Sequence, residues 1–245
     1  MSQWKQDQVT DPETADSHWH LLYRIAGAAA LISVVIVLLE IIRFIAWPPP
    51  STVVGWFALF QNNKLLGLLS LELLIVVGNV LAIPVYLAFY IALRRASVSF
   101  MAIATAVGLV GIAAIFAARP IFEMLYLSDQ YAAATTETQK AMFLAAGDAM
   151  LAIFNGTAAQ VNYVLAAIAL LTVSVVMLRS SVFSKVTAYV GIITNVLALG
   201  FYVPKIGIIL ALISVLPFLI IWNILIARRF FQLGRLERKE LPQQS

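Results

Sequence analysis

Glu40 and Arg43 stand three residues apart near the end of one long apolar run, and Glu72 lies inside the next, seven residues ahead of Asn79. Asn79 is in turn seven ahead of Tyr86, and Tyr90 follows four later. On a helix the first spacing sets Glu40 one turn from Arg43, and the second puts Glu72, Asn79, Tyr86 and Tyr90 on one face. Carboxylates and guanidinium groups in such surroundings can move a proton or grip a charged ligand, and amides and phenols can orient it. Asn162 and Asn195, inside later apolar runs, complete the candidate ligand-binding set. Glu72 and Glu40 are the candidates for a general acid or base.

The elements that must position these groups are transmembrane helices. The chain has 245 residues, 62% of them hydrophobic and only 11% charged, where a soluble domain carries about 25%. Its apolar runs exceed the roughly 20 residues a helix needs to cross the hydrocarbon of a bilayer. There are no cysteines, and the two histidines, His18 and His20, precede the first run. That excludes disulfides, thiolate metal sites and haem held by paired intramembrane histidines, and no cofactor or metal is expected. The net charge of +4 is concentrated in the C-terminal tail. Membrane orientation accounts for such a tail, so no nucleic-acid partner is expected and the surrounding lipids are the certain one.

Six spans are predicted, at residues 21–47, 65–93, 98–118, 158–178, 186–203 and 204–227. The expected organisation is a polar leader over residues 1–20, without signal-peptide features, a membrane domain over 21–230 and a basic tail over 231–245. Asp16 or Ser17 can cap the first helix, and Pro48, Pro49 and Pro50 stop it. Pro84 and Pro217 should kink the second and sixth spans, and Pro204 opens the sixth. Residues 53–60 read as a short interfacial helix. Thr136 and Gln139 have capping-box spacing, and a helix over 140–154 follows, broken by Asn155 and Gly156. It fits a re-entrant or interfacial helix, or an extramembrane hairpin, better than a seventh crossing. Trp19, Trp47, Trp56 and Tyr202 read as interface anchors.

Basic residues set the orientation. With the N-terminus inside, the inner loops and tail hold Arg94, Arg95, Arg179, Lys185, Arg228, Arg229, Arg235, Arg238 and Lys239. The outer connections hold only Lys64, Arg119, Lys140 and Lys205. Both termini are therefore expected in the cytoplasm. The intramembrane polar residues then fall in the outer half of the bilayer, which suggests an outward-opening polar cavity walled by the first, second, fourth and fifth spans. A structural reading stands beside it. Glu40 with Arg43, and Arg119 with Glu123, can be ion pairs that tie helix ends together, and the asparagines can be hydrogen-bonding glue between helices. Glu72 resists that reading because its own helix has no basic residue within a turn.

Three segments carry a resemblance: residues 57–63 (FALFQNN), residues 122–131 (FEMLYLSDQY), and Arg179 and Ser180 taken with residues 188–191 (AYVG). Here the chain resembles a family of small bacterial integral membrane proteins known as a domain of unknown function. The resemblance implies a helical bundle in a bacterial inner membrane and no catalytic residues. From the residues themselves, the leading expectation is binding or translocation of a small polar or amphipathic ligand in the outer cavity. An intramembrane enzyme acting on a lipid or isoprenoid, and a non-catalytic scaffold or accessory subunit, are the alternatives. The oligomeric state is not legible.

Overall fold

The computed structural model describes residues 19–235, and among them every regular element is helical. Six stretches are long and apolar enough to cross a membrane, so the protein is an all-α, multi-pass transmembrane bundle. The first helix, α1 (His20–Ala46), has 27 residues and extends about 40 Å at 1.5 Å per residue, enough to cross with a turn to spare. Its expected caps, Asp16 and Ser17, lie outside the described residues. Two short helices follow, α2 (Val53–Asn62) and α3 (Lys64–Ser70). Each is started by a side chain that satisfies a free amide of the first turn. Thr52 accepts from the Gly55 amide at 3.2 Å, and Asn63 from that of Leu66 at 3.0 Å.

The second span departs from expectation. It is not one helix over 65–93: the chain breaks at Leu71 and Glu72, and α4 (Leu73–Leu93) begins only after the break. Glu72 has φ 64°, one of two left-handed non-glycine residues among those described. Side chains other than glycine, asparagine and aspartate rarely accept this conformation. α4 then continues through Pro84 without interruption. The third span, α5 (Val98–Ala117), stops before Arg119 and Pro120, and an unpredicted helix, α6 (Ile121–Ala133), follows. The anticipated capping box is present at the start of α7 (Glu137–Phe154), and Asn155 and Gly156 separate α7 from α8 (Thr157–Met177).

The last two spans are α9 (Lys185–Leu199), with a 3-10 turn at Gly200–Tyr202, and a composite helix. The composite helix starts at Gly207, not Pro204, because Lys205 also takes a left-handed backbone, φ 71°. It comprises α10 (Gly207–Ile213), a π-helical segment (Ser214–Leu219) around Pro217, and α11 (Ile220–Leu233). Proline cannot donate the hydrogen bond an α-helix needs there, and the wider π turn absorbs the defect.

The spans form a ring in chain order, α1 against α4, α4 against α5, α5 against α8, α8 against α9, and α11 back onto α1. Close approach is allowed where glycine faces a neighbour. The Tyr86 ring lies over Gly108, and Gly111 rests on the backbone of α8 near Asn162. The end of the ring that holds both described chain ends is plugged by aromatic side chains. Phe89 is centred 5.1 Å from Phe230, 5.8 Å from Phe183 and 5.9 Å from Trp222.

At the opposite end the two long connections form one cap. α2, α3, α6 and α7 pack on each other around a separate apolar core that includes Trp56, Phe57, Phe60, Leu71 and Met124. Trp56 is thus a core residue, correcting its reading as an interface anchor; Trp19, Trp47 and Tyr202 are exposed. Polar ties reinforce the cap: Gln61 Nε2 donates to the Ser128 hydroxyl at 2.9 Å, and that hydroxyl donates to the Phe57 carbonyl at 3.1 Å.

Candidate functional site

The charged residues of the membrane domain converge where ring meets cap. Glu40 and Arg43 lie in the last two turns of α1, with Arg43 Nε 3.0 Å from the Glu40 carboxylate. Glu72 occupies the break ahead of α4, and its carboxylate lies 2.5 Å from Nη2 of Arg119, the second residue after α5. The two carboxylates are within electrostatic reach of each other. Three span ends, those of α1, α4 and α5, therefore bring two ion pairs together, and their charges sum to zero.

Arg119 is the hub. It is only 7% exposed. Its Nη1 donates to the Phe154 carbonyl at 3.1 Å and the Ala118 carbonyl at 3.3 Å, and its Nη2 donates to the Tyr163 hydroxyl at 3.2 Å. The guanidinium also lies 4.5 Å from the centre of the Phe154 ring, a cation–π contact that strengthens away from water. Arg119 thus joins α4, α7 and α8 at the point where cap and ring exchange helices. The expected partner, Glu123, is exposed on α6 instead. Glu72 finds no basic residue on its own helix, as expected, but the end of α5 delivers Arg119 to it, so it too is ion-paired.

Hydrogen bonding at this level is incomplete. Among the described residues, five buried polar atoms without a hydrogen-bond partner belong to charged side chains. Four of these are here: Glu40 Oε1, Arg43 Nη1, Glu72 Oε2 and Arg119 Nε. Glu72 Oε2 touches the Arg119 guanidinium as an ion pair, but the approach is not aligned as a hydrogen bond. Buried polar groups are nearly always partnered, so a cluster of exceptions requires a reason. The left-handed backbone at Glu72 is a second departure at the same place, and such strain gathers at functional positions.

A second polar layer lies deeper. Asn162 Nδ2 donates to the Gly111 carbonyl at 2.8 Å and to Asn79 Oδ1 at 3.3 Å, tying α8 to α5 and α4. Asn79 returns its own amide to the Ile75 carbonyl at 2.9 Å. Asn79 is seven residues beyond Glu72, so the layer is roughly 10 Å below the ion pairs. The other sequence-predicted residues do not join. Tyr86 is buried against Gly108 with Ile112 and Ala169, as packing. Asn195 donates to the Gly191 carbonyl of its own helix at 2.7 Å. The break also takes Glu72 out of helical register with Asn79, Tyr86 and Tyr90.

Sequence reasoning missed Tyr163 and Phe154 as members of the site. The Arg119–Pro120 step marked a helix end, but neither of those aromatics had a distinguishing signal. Chemically, each carboxylate is engaged by a guanidinium, an arrangement suited to recognising charge more than to passing protons. Fold and site together define a multi-pass membrane protein with a neutral, doubly ion-paired junction beneath a helical cap. Compared with protein-family models, curated proteins and solved structures, the chain shows no match.

Proposed function

We propose that the protein binds or translocates a small polar or amphipathic ligand at the junction of ring and cap. The observation that carries this reading is the cluster of four polar atoms without a hydrogen-bond partner on the buried Arg43 and Arg119 and the partly buried Glu40 and Glu72 side chains. A purely structural pair of salt bridges gains by satisfying every donor and acceptor, because burying an ion costs several kcal/mol when it is incompletely paired. A ligand with both donors and acceptors supplies what is missing. The aromatic plug seals the other end of the ring, so the ligand exchanges on the cap side. With an even number of spans both termini share a face, and Arg94, Arg95, Arg179, Lys185, Arg228 and Arg229 lie toward it. That distribution favours cytoplasmic termini and an outward-facing site; the bacterial inner membrane is what the resemblance of the three sequence segments implies.

The test is mass spectrometry of everything extracted from the purified, denatured protein, for the wild type, Arg43→Gln and Arg119→Gln. A species stoichiometric with the wild type and depleted at least tenfold in both variants is expected. Arg43→Gln is the safer probe, since Arg43 bonds only within α1. If the wild type and a folded Arg43→Gln variant carry the same species in the same amounts, the junction is not the binding site.

A further inference from the structure

We propose that the ligand is a bilayer lipid with a zwitterionic aminophosphate headgroup, a phosphodiester bearing a primary ammonium; this rests on the ligand-binding reading above. The atoms without a hydrogen-bond partner come as two donors, Arg43 Nη1 and Arg119 Nε, and two acceptors, Glu40 Oε1 and Glu72 Oε2, the last in ion contact with Arg119. Both arginines are more than nine-tenths buried. An anion alone would satisfy the guanidinium groups and face two carboxylates. A cation alone would do the reverse. A headgroup with phosphate oxygens to accept from the arginines and an N–H-bearing ammonium to donate to the carboxylates satisfies all four and leaves the junction neutral.

Position favours a lipid over a soluble phosphoamine. The ion pairs lie at the rim of the bundle, Glu40 being six residues from the end of α1, roughly 9 Å along the helix. At that depth a headgroup sits while its chains extend toward the bilayer centre. On the same stretch of α1, Leu38, Leu39 and Ile42 are exposed. α11 packs on α1, whereas beyond the π segment the principal contacts of α10 are with α9 and the preceding 3-10 turn. Ile208 and Leu212 of α10 are exposed as well. In the half of the membrane nearest the ion pairs, the acyl chains of such a lipid would lie against these exposed apolar faces of α1 and α10.

The experiment uses the full-length protein, stripped of lipid by detergent exchange and re-exposed to dioleoyl phosphatidylethanolamine, phosphatidylcholine or phosphatidylglycerol, with adducts counted by native mass spectrometry. Retention of the ethanolamine lipid about tenfold or more above the other two is expected, with glycerophosphoethanolamine failing to compete at equal concentration. Glu40→Gln should erase the preference over phosphatidylglycerol, and Arg43→Gln should reduce retention of all phospholipids; circular dichroism confirms that both fold. Equal retention of phosphatidylcholine, whose ammonium has no N–H, overturns the ammonium assignment. Equal retention of phosphatidylglycerol overturns the zwitterion, and effective competition by glycerophosphoethanolamine overturns the lipid. If no lipid is selected but a different small molecule is lost from Arg43→Gln, the headgroup assignment falls and the ligand site stands. If the wild type retains nothing that either variant loses, both fall.

Discussion

Replacing Glu72 with Gln removes a charge from a pair whose other member cannot easily escape. The Arg119 side chain is 3% exposed and that of Glu72 26%. Without the carboxylate, the guanidinium keeps only neutral partners, the Phe154 and Ala118 carbonyls, the Tyr163 hydroxyl and the Phe154 ring. Breaking a fully buried pair costs roughly 3–5 kcal/mol. Because about a quarter of Glu72 meets solvent, a loss of about 2–3 kcal/mol is expected for Glu72→Gln. Arg119→Gln should cost about 3–4 kcal/mol, since it also abandons the cap contacts. The two glutamines of the double variant can hydrogen-bond each other, so its loss should fall short of the sum by about 1.5–2 kcal/mol. Reversible unfolding in mixed detergent–SDS micelles, followed by helical circular dichroism, measures all three variants. Additivity within about 0.5 kcal/mol, or a more stable Glu72→Gln protein, would refute the pairing and the argument built on it.

Asn162→Leu should cost about 1–2 kcal/mol in the same assay, since it removes the interhelical donor to the Gly111 carbonyl and to Asn79 Oδ1, near the upper range for interhelical polar contacts; no loss would mean that the layer is not glue. Gly108→Ala should lose about 1–3 kcal/mol by overpacking, because the new methyl collides with the Tyr86 ring, and a companion Tyr86→Leu change should recover part of it. Thr136→Ala removes the α7 capping box and should lower cap stability by about 1 kcal/mol, read as faster amide exchange in α7 with α8 unchanged. Single cysteines at Lys140 and the exposed Asn155, in this cysteine-free chain, should both react with an impermeant thiol reagent added outside; labelling of only one would give a seventh crossing and reverse the orientation of α8 to α11.

The spans, most of the breaks between them and the capping box were legible in the sequence because local physics decides them. Apolar length requires a backbone that satisfies its own hydrogen bonds in lipid, and proline or a Thr136–Gln139 spacing acts within a turn or two. The ion pair of Glu40 with Arg43 was legible for the same reason, the two being one turn apart. The Glu72–Arg119 pair was not. It spans 47 positions of sequence, and it needs a left-handed break that no local propensity announces, since glutamate disfavours that conformation. Periodicity misled there, placing Glu72, Asn79 and Tyr86 on a single helix face, whereas the fold sends them to a charged rim, an amide layer and a packing contact on Gly108. Trp56 went astray in the same way, as an aromatic near a span end that only the assembly of α2, α3, α6 and α7 turns into core. Sequence alone determined that this chain crosses a membrane and roughly where its helices run. Which charges meet, and which of their atoms remain without a partner, was decided by the packing of α4, α5 and α8 beneath the cap.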